Sequence, residues 1–186
     1  MDLRKQLRQE TKKDLIEMMR ETFGGKHLEQ ILAAQLGHTL VPGINGADGQ
    51  CLITGQEFEY KGQYFNNNVN HLFRGKGKYS FASYIRAQSK LDNDEQTIFA
   101  GVCKLNLEMY YQLQVPFSTI ADEYIRQLDL INGKDYNNVD ICFHHYKDSP
   151  DLKVLYIAPK KVLEANKHKF AKNFHKKLLE FAEDNS

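Results

Sequence analysis

The chain has 186 residues, a formal net charge of +1 at pH 7 and a mean hydropathy of −0.58. That is length enough for one domain with a sizeable core. No apolar run is long enough to span a bilayer, and Met1-Asp2-Leu3-Arg4-Lys5 opens no apolar signal-peptide core, so a soluble chain with no membrane partner is expected, and the cysteine pattern makes a reducing cytoplasm the simple reading. The three cysteines, Cys51, Cys103 and Cys142, are scattered and lack C-x-x-C spacing, which argues against a disulfide framework or a zinc site.

Taken in chain order, residues 2–22 read as a helix with Leu3, Leu7, Leu15, Met18 and Met19 near one face, ended by Gly24-Gly25. A second helix is expected over residues 26–36. Strands are expected near Cys51–Ile53 and over Glu57–Lys61, where polar and apolar residues alternate. Residues 65–79, rich in Gly and Asn, read as a long surface connection. A helix follows over Ser80–Lys90, with Ser80 as its cap, then a turn at Asp92-Asn93-Asp94 and strands over Thr97–Cys103 and Leu105–Tyr111. Ser118–Leu128 reads as a helix. Val139–Tyr146 and Leu152–Ile157 read as two strands of one hairpin, and Lys160–Glu183 as one long basic amphipathic helix with Phe170, Phe174 and Phe181 on its core face.

Chemistry concentrates between Val41 and Lys61: V-P-G-I-N-G-A-D-G-Q-C-L-I-T-G-Q-E-F-E-Y-K. On a strand, Glu57, Glu59 and Lys61 share one face, and Phe58 and Tyr60 the other. If Asp48, in its Gly-flanked bend, approaches Glu59, two carboxylates and an ammonium converge, and hard oxygen donors of that kind suit Mg²⁺. Acid-x-Lys recurs at Glu10-Thr11-Lys12 and Asp151-Leu152-Lys153, and by itself it reads more readily as a turn Asp beside an incidental Glu–Lys pair.

The residues around the middle triplet change that reading. Gly24-Gly25-Lys26, Val41-Pro42-Gly43, Gly46, Asp48 and Gly55-Gln56-Glu57-Phe58-Glu59-Tyr60-Lys61, with echoes at Ile98-Phe99-Ala100 and Tyr110-Tyr111, resemble the PD-(D/E)xK nuclease superfamily, and within it the PvuII-type restriction endonucleases. The resemblance implies a mixed α/β fold, a central mixed β-sheet flanked by helices, with a metal site at one sheet edge. It implies Asp48, Glu59 and Lys61 as catalytic residues, with Mg²⁺ held by Asp48, Glu59 and the Tyr60 carbonyl. It also implies a homodimer that cuts double-stranded DNA at a specific site, leaving 5′-phosphate and 3′-hydroxyl ends. Asn45 is neutral where the similar enzymes carry an acid, and the Asp-to-Glu gap is one residue shorter, so the number of metals stays open.

The expected layout is one domain over residues 1–186. Residues 1–36 are helical and supply the dimer element, 41–157 form the catalytic sheet core, and 158–186 form the basic C-terminal helix. Expected DNA contacts are Asn68, Asn70, His71, Arg74, Lys76, Lys78, Tyr79, Ser80, Asn138, His144 and His145, since Asn pairs with adenine edges and Arg or Lys with guanine edges and phosphates. On a strand, His144 and His145 face opposite sides. Within the superfamily a repair nickase or junction resolvase is the nearest alternative. Outside it stands a DNA-binding module without catalysis, and the low net charge counts mildly against any DNA partner.

Overall fold

The computed structural model describes residues 27–41, 47–65, 72–103, 108–131 and 137–184. The expected helix over residues 2–22, the turn residues 42–46 and the Asn-rich residues 66–71 lie outside them. Helix α1 (His27–Leu36) carries the expected apolar stripe: Leu28, Leu32 and Ala33 are buried. Strands β1 (His38–Leu40) and β2 (Gly49–Cys51) pair antiparallel, and β2 pairs antiparallel with β3 (Glu57–Phe65). The expected strand over Cys51–Ile53 is therefore shifted. Leu52 and Ile53 are exposed in the turn, where Gly55 takes the left-handed φ of +74° that its lack of a Cβ permits.

Residues 65–79 are not all connection. Strand β4 (Gly77–Ala82) includes Lys78, Tyr79 and Ser80, and it forms a two-stranded sheet with β7 (Asn137–Ile141). Between them, helix α2 (Tyr84–Asp92) is capped by Ser83, whose hydroxyl accepts from the Arg86 amide at 3.3 Å. Ser80 is not the cap, because it is still in the strand. Strands β5 (Gln96–Cys103) and β6 (Met109–Pro116) follow, β6 running later than the expected Leu105–Tyr111, and then helix α3 (Ser118–Leu130). After β7 come a 3₁₀ turn over Phe143–His145, strand β8 (Lys153–Ile157), helix α4 (Lys160–Ala165), a 3₁₀ turn over Lys167–Lys169 and helix α5 (Lys172–Asp184).

The main sheet has six strands in the order β1-β2-β3-β5-β6-β8. β3 and β5 are parallel and the other neighbours antiparallel, so the sheet is mixed, with helices against it. β5 is buried along its whole length, which explains its unbroken apolar run. β7 and β8 are not hairpin partners: β7 pairs with β4 and β8 with β6. The site-bearing strand β3 is third from one side, so the site does not sit on an edge strand.

Alternation along β3 and β5 separates two apolar clusters. Phe58, Tyr60, Ile98, Ala100 and Val102 pack with Leu28 and Leu32 of α1. A fully buried leucine such as Leu32 contributes about 2 kcal/mol by leaving water. Phe65, Phe99 and Cys103 face the larger cluster, which includes Tyr79, Tyr111, Leu113, Tyr124, Phe174 and Leu178. Glu59 and Lys61 share that second face, beneath β4 and α2.

The C-terminal segment is two helices rather than one. Phe73 donates its amide to the Lys169 carbonyl (2.8 Å) and accepts from the Ala171 amide (2.9 Å), and this bridge unwinds the chain between α4 and α5. Phe170 and Phe174 are nevertheless buried and Phe181 packs against the same cluster, as the spacing suggested. Among the described residues, no helix is long and apolar enough to cross a membrane.

Candidate active site

Two backbone bonds place Asp48. Its amide donates to the Phe58 carbonyl (2.9 Å), and its carbonyl accepts from the Val41 amide (3.1 Å), so Asp48 is fastened to β3 on one side and to Val41 on the other. Its Oδ2 then accepts from the Tyr60 amide at 2.7 Å. Tyr60 itself points to the other face, where its hydroxyl meets His38 Nδ1 at 2.8 Å. Only the main chain of Tyr60 is thus on offer to a cation. Asp48, Glu57, Glu59 and Lys61 line a cavity of about 410 Å³ together with Lys78, Ser80, Phe81, Arg86, Lys90 and Glu95.

Asp48 and Glu59 sense each other. Burial, and then the Glu59 charge, push the Asp48 carboxyl up to about 7, against the opposing pull of Lys61 and the Tyr60 amide. Glu59 goes the other way. Burial raises it, but Lys61 and Lys90 together outweigh burial and hold it below the usual carboxylate value. Lys61 donates to Glu59 Oε1, and Lys90 donates to Glu59 Oε2 at 2.7 Å and to Glu95 Oε1 at 2.5 Å. Burial opposes the Lys90 ammonium, yet its two carboxylates raise it above the ordinary lysine value.

The second wall closes over these charges. Lys61 Nζ lies 4.6 Å from the Tyr79 ring centroid, and the Tyr79 hydroxyl bonds Thr97 Oγ1 at 2.8 Å. At Gly77 an added Cβ would stand 2.5 Å from the Lys61 Cβ and 2.7 Å from the Phe99 ring, so glycine lets β4 reach Lys61.

Among the described residues, no three His, Cys, Asp or Glu side chains form a ready-made metal cluster. Two carboxylates, one of them raised by burial and then by the other's charge, are still a fitting donor set for a hard divalent cation, which fills its remaining positions with main-chain oxygen, water or a phosphate oxygen. A cation there competes with the Asp48 proton. Mg²⁺ affinity is therefore expected to fall about tenfold for each pH unit below about 7 and to level off above it. Calorimetric titration at pH 6, 7 and 8 checks this; an affinity independent of pH would place the cation elsewhere.

The expected DNA contacts divide. Lys78 and Ser80 line the cavity. Asn138 is exposed on β7, Arg74 is exposed, and Lys76 pairs with Asp140 at 2.7 Å. Tyr79 also lines the cavity, with its ring buried and Lys61 over its face. His144 and His145 are in a 3₁₀ turn rather than on a strand, and their rings lie side by side with centroids 3.8 Å apart. His145 accepts from the Cys142 amide at 3.1 Å and lies 3.6 Å from Glu123, so it braces the turn, and neither histidine lines the cavity. Asn68, Asn70 and His71 fall outside the described residues.

Lys90, Glu95, Arg86 and Phe81 were missed. The one signal for the first two was an acid placed directly before the apolar run of β5, five residues after a lysine. No protein-family model matches the chain, and no curated protein matches it in sequence.

Proposed function

We propose that this protein is a Mg²⁺-dependent type II restriction endonuclease, with a fold of the restriction-endonuclease kind. The observation that carries the reading is the pairing of Asp48 with Glu59 across one cavity, with Lys61 hydrogen-bonded to Glu59. Asp48 and Glu59 would hold the cation with oxygen donors, and the Tyr60 carbonyl would join them. When bound, Mg²⁺ supplies a lowered pKa for water and offsets charge on the phosphodiester. Lys61, an ammonium already paired with Glu59, would orient the attacking water, whose proton passes to solvent, and in-line attack that expels the 3′ oxygen gives a 5′-phosphate and a 3′-hydroxyl. Lys90 keeps Glu59 ionised and ready to bind the cation. Lys78 and Arg86 at the cavity wall bind the DNA backbone.

The same reading makes the protein cytoplasmic and homodimeric, with residues 2–22 as the dimer element and a palindromic target. Incubating a sequenced plasmid with protein and Mg²⁺, then mapping the ends, tests it. Discrete double-strand cuts support a restriction enzyme. Nicks or cuts at junctions favour a repair nickase or resolvase, and binding without cleavage would leave a DNA-binding module.

A further inference from the structure

Phe81 has no place in the chemistry above, and its conformation is unusual. Along β4 the register with β7 slips: Tyr79 pairs with Val139 and Ala82 with Asn137, so β4 carries one extra residue. Phe81 sits in this bulge with φ +55°, a left-handed backbone that a bulky side chain adopts only at a steric cost. Its flanking anchors Tyr79 and Ala82 are buried, while Phe81 itself is 49% exposed. The bulge thus turns an aromatic ring away from the core.

That ring stands on the wall of the cavity that Asp48, Glu59 and Lys61 also line. The Arg86 guanidinium lies 5.8 Å from its centroid and donates to the Ser80 carbonyl at 3.3 Å. Tyr84 and Ile85, at the start of α2, are exposed as well. A flat apolar ring beside a guanidinium, on the wall of a charged cavity, suits a planar aromatic ligand whose own backbone is anionic. Backbone strain maintained at such a place marks function.

We propose that Phe81 stacks on a nucleobase adjacent to the phosphodiester held in the Asp48–Glu59–Lys61 cavity, a role that rests on the nuclease reading. Stacking ties the base to the cavity wall and fixes the register of the strand before the cut.

The test uses the full chain, a plasmid fragment that the wild type cuts, and Ca²⁺ in place of Mg²⁺ to hold the complex uncut. Phe81→Gly is expected to raise the melting temperature, since glycine accepts the left-handed backbone, and to weaken DNA binding about tenfold. Phe81→Trp retains binding. The loss in Phe81→Gly persists from low to high salt because stacking carries no net charge, whereas the loss in Lys78→Ala shrinks as salt rises. Phe81→Gly that binds and cuts as the wild type does would overturn the stacking role and leave the nuclease reading intact. So would a Phe81→Gly variant that changes only its oligomeric state, which would make the ring a contact between copies. A wild type that binds and cuts no DNA would sink both.

Discussion

Lys61→Ala is expected to lose about a thousandfold in Mg²⁺-dependent cleavage while binding DNA as the wild type does. Lys61 shares the β3 face of Glu59 and donates to it, at the point where a water between cation and phosphate would be oriented. Its removal leaves the fold in place because Glu59 keeps Lys90 as partner. Binding survives because contacts along the phosphate backbone supply most of the affinity. Single-turnover cleavage and a gel shift in Ca²⁺ measure the two quantities separately. Near-normal cleavage would remove Lys61 from the chemistry.

Lys90→Met is expected to destabilise the protein by about 3 kcal/mol. Lys90 is held between Glu59 and Glu95, and its side chain is only 11% exposed. Without it, Glu59 retains Lys61, but Glu95 is left with an uncompensated charge that burial already raises toward its neutral form. Adding Glu95→Gln should recover much of the loss, because the orphaned charge then disappears. Urea unfolding of the single and double variants reads this directly. A single variant within about 0.5 kcal/mol of the wild type, the range of ordinary surface changes, would show the pair to be solvated.

The parts of the fold set by local pattern were legible. Alternation over Glu57–Lys61 does split charged from aromatic side chains, and the apolar run after Thr97 is a central buried strand. What failed was long-range pairing. G-K-G-K-Y reads as the end of a polar loop and S-F-A as the start of a helix, yet Gly77–Ala82 is a strand because β7, far along the chain, pairs with it. Phe170 and Phe174 have helical spacing, yet the chain between α4 and α5 is opened by its bridge to Phe73. His144-His145 continued an apparent alternation that ends at Ile141, where the backbone tightens into a 3₁₀ turn braced by His145.

In the candidate site, Asp48, Glu59 and Lys61 came from the resemblance, since spacing alone favoured an incidental Glu–Lys pair; they line one cavity because Asp48 stands just before β2, which pairs with β3. Lys90 and Glu95 were not legible, because Lys90 on α2 and Glu95 just before β5 meet Glu59 only through tertiary packing, Lys90 bonding both carboxylates.

The measurement closest to the central claim is a thermal melt of wild type and Asp48→Asn at pH 8, with and without Mg²⁺. The folded pKa of Asp48, about 7, lies above that of an unfolded carboxylate. The stability tied to its proton is therefore full below about pH 4 and lost as pH rises through 7. At pH 8 without metal the variant should melt higher than the wild type, since a neutral amide escapes the cost of burial and the repulsion of Glu59 while still accepting from Tyr60. With Mg²⁺ the wild type should rise and Asp48→Asn should not. Equal Mg²⁺ shifts in both proteins would make Asp48 a turn residue that merely holds the Tyr60 amide, and would contradict the metal site.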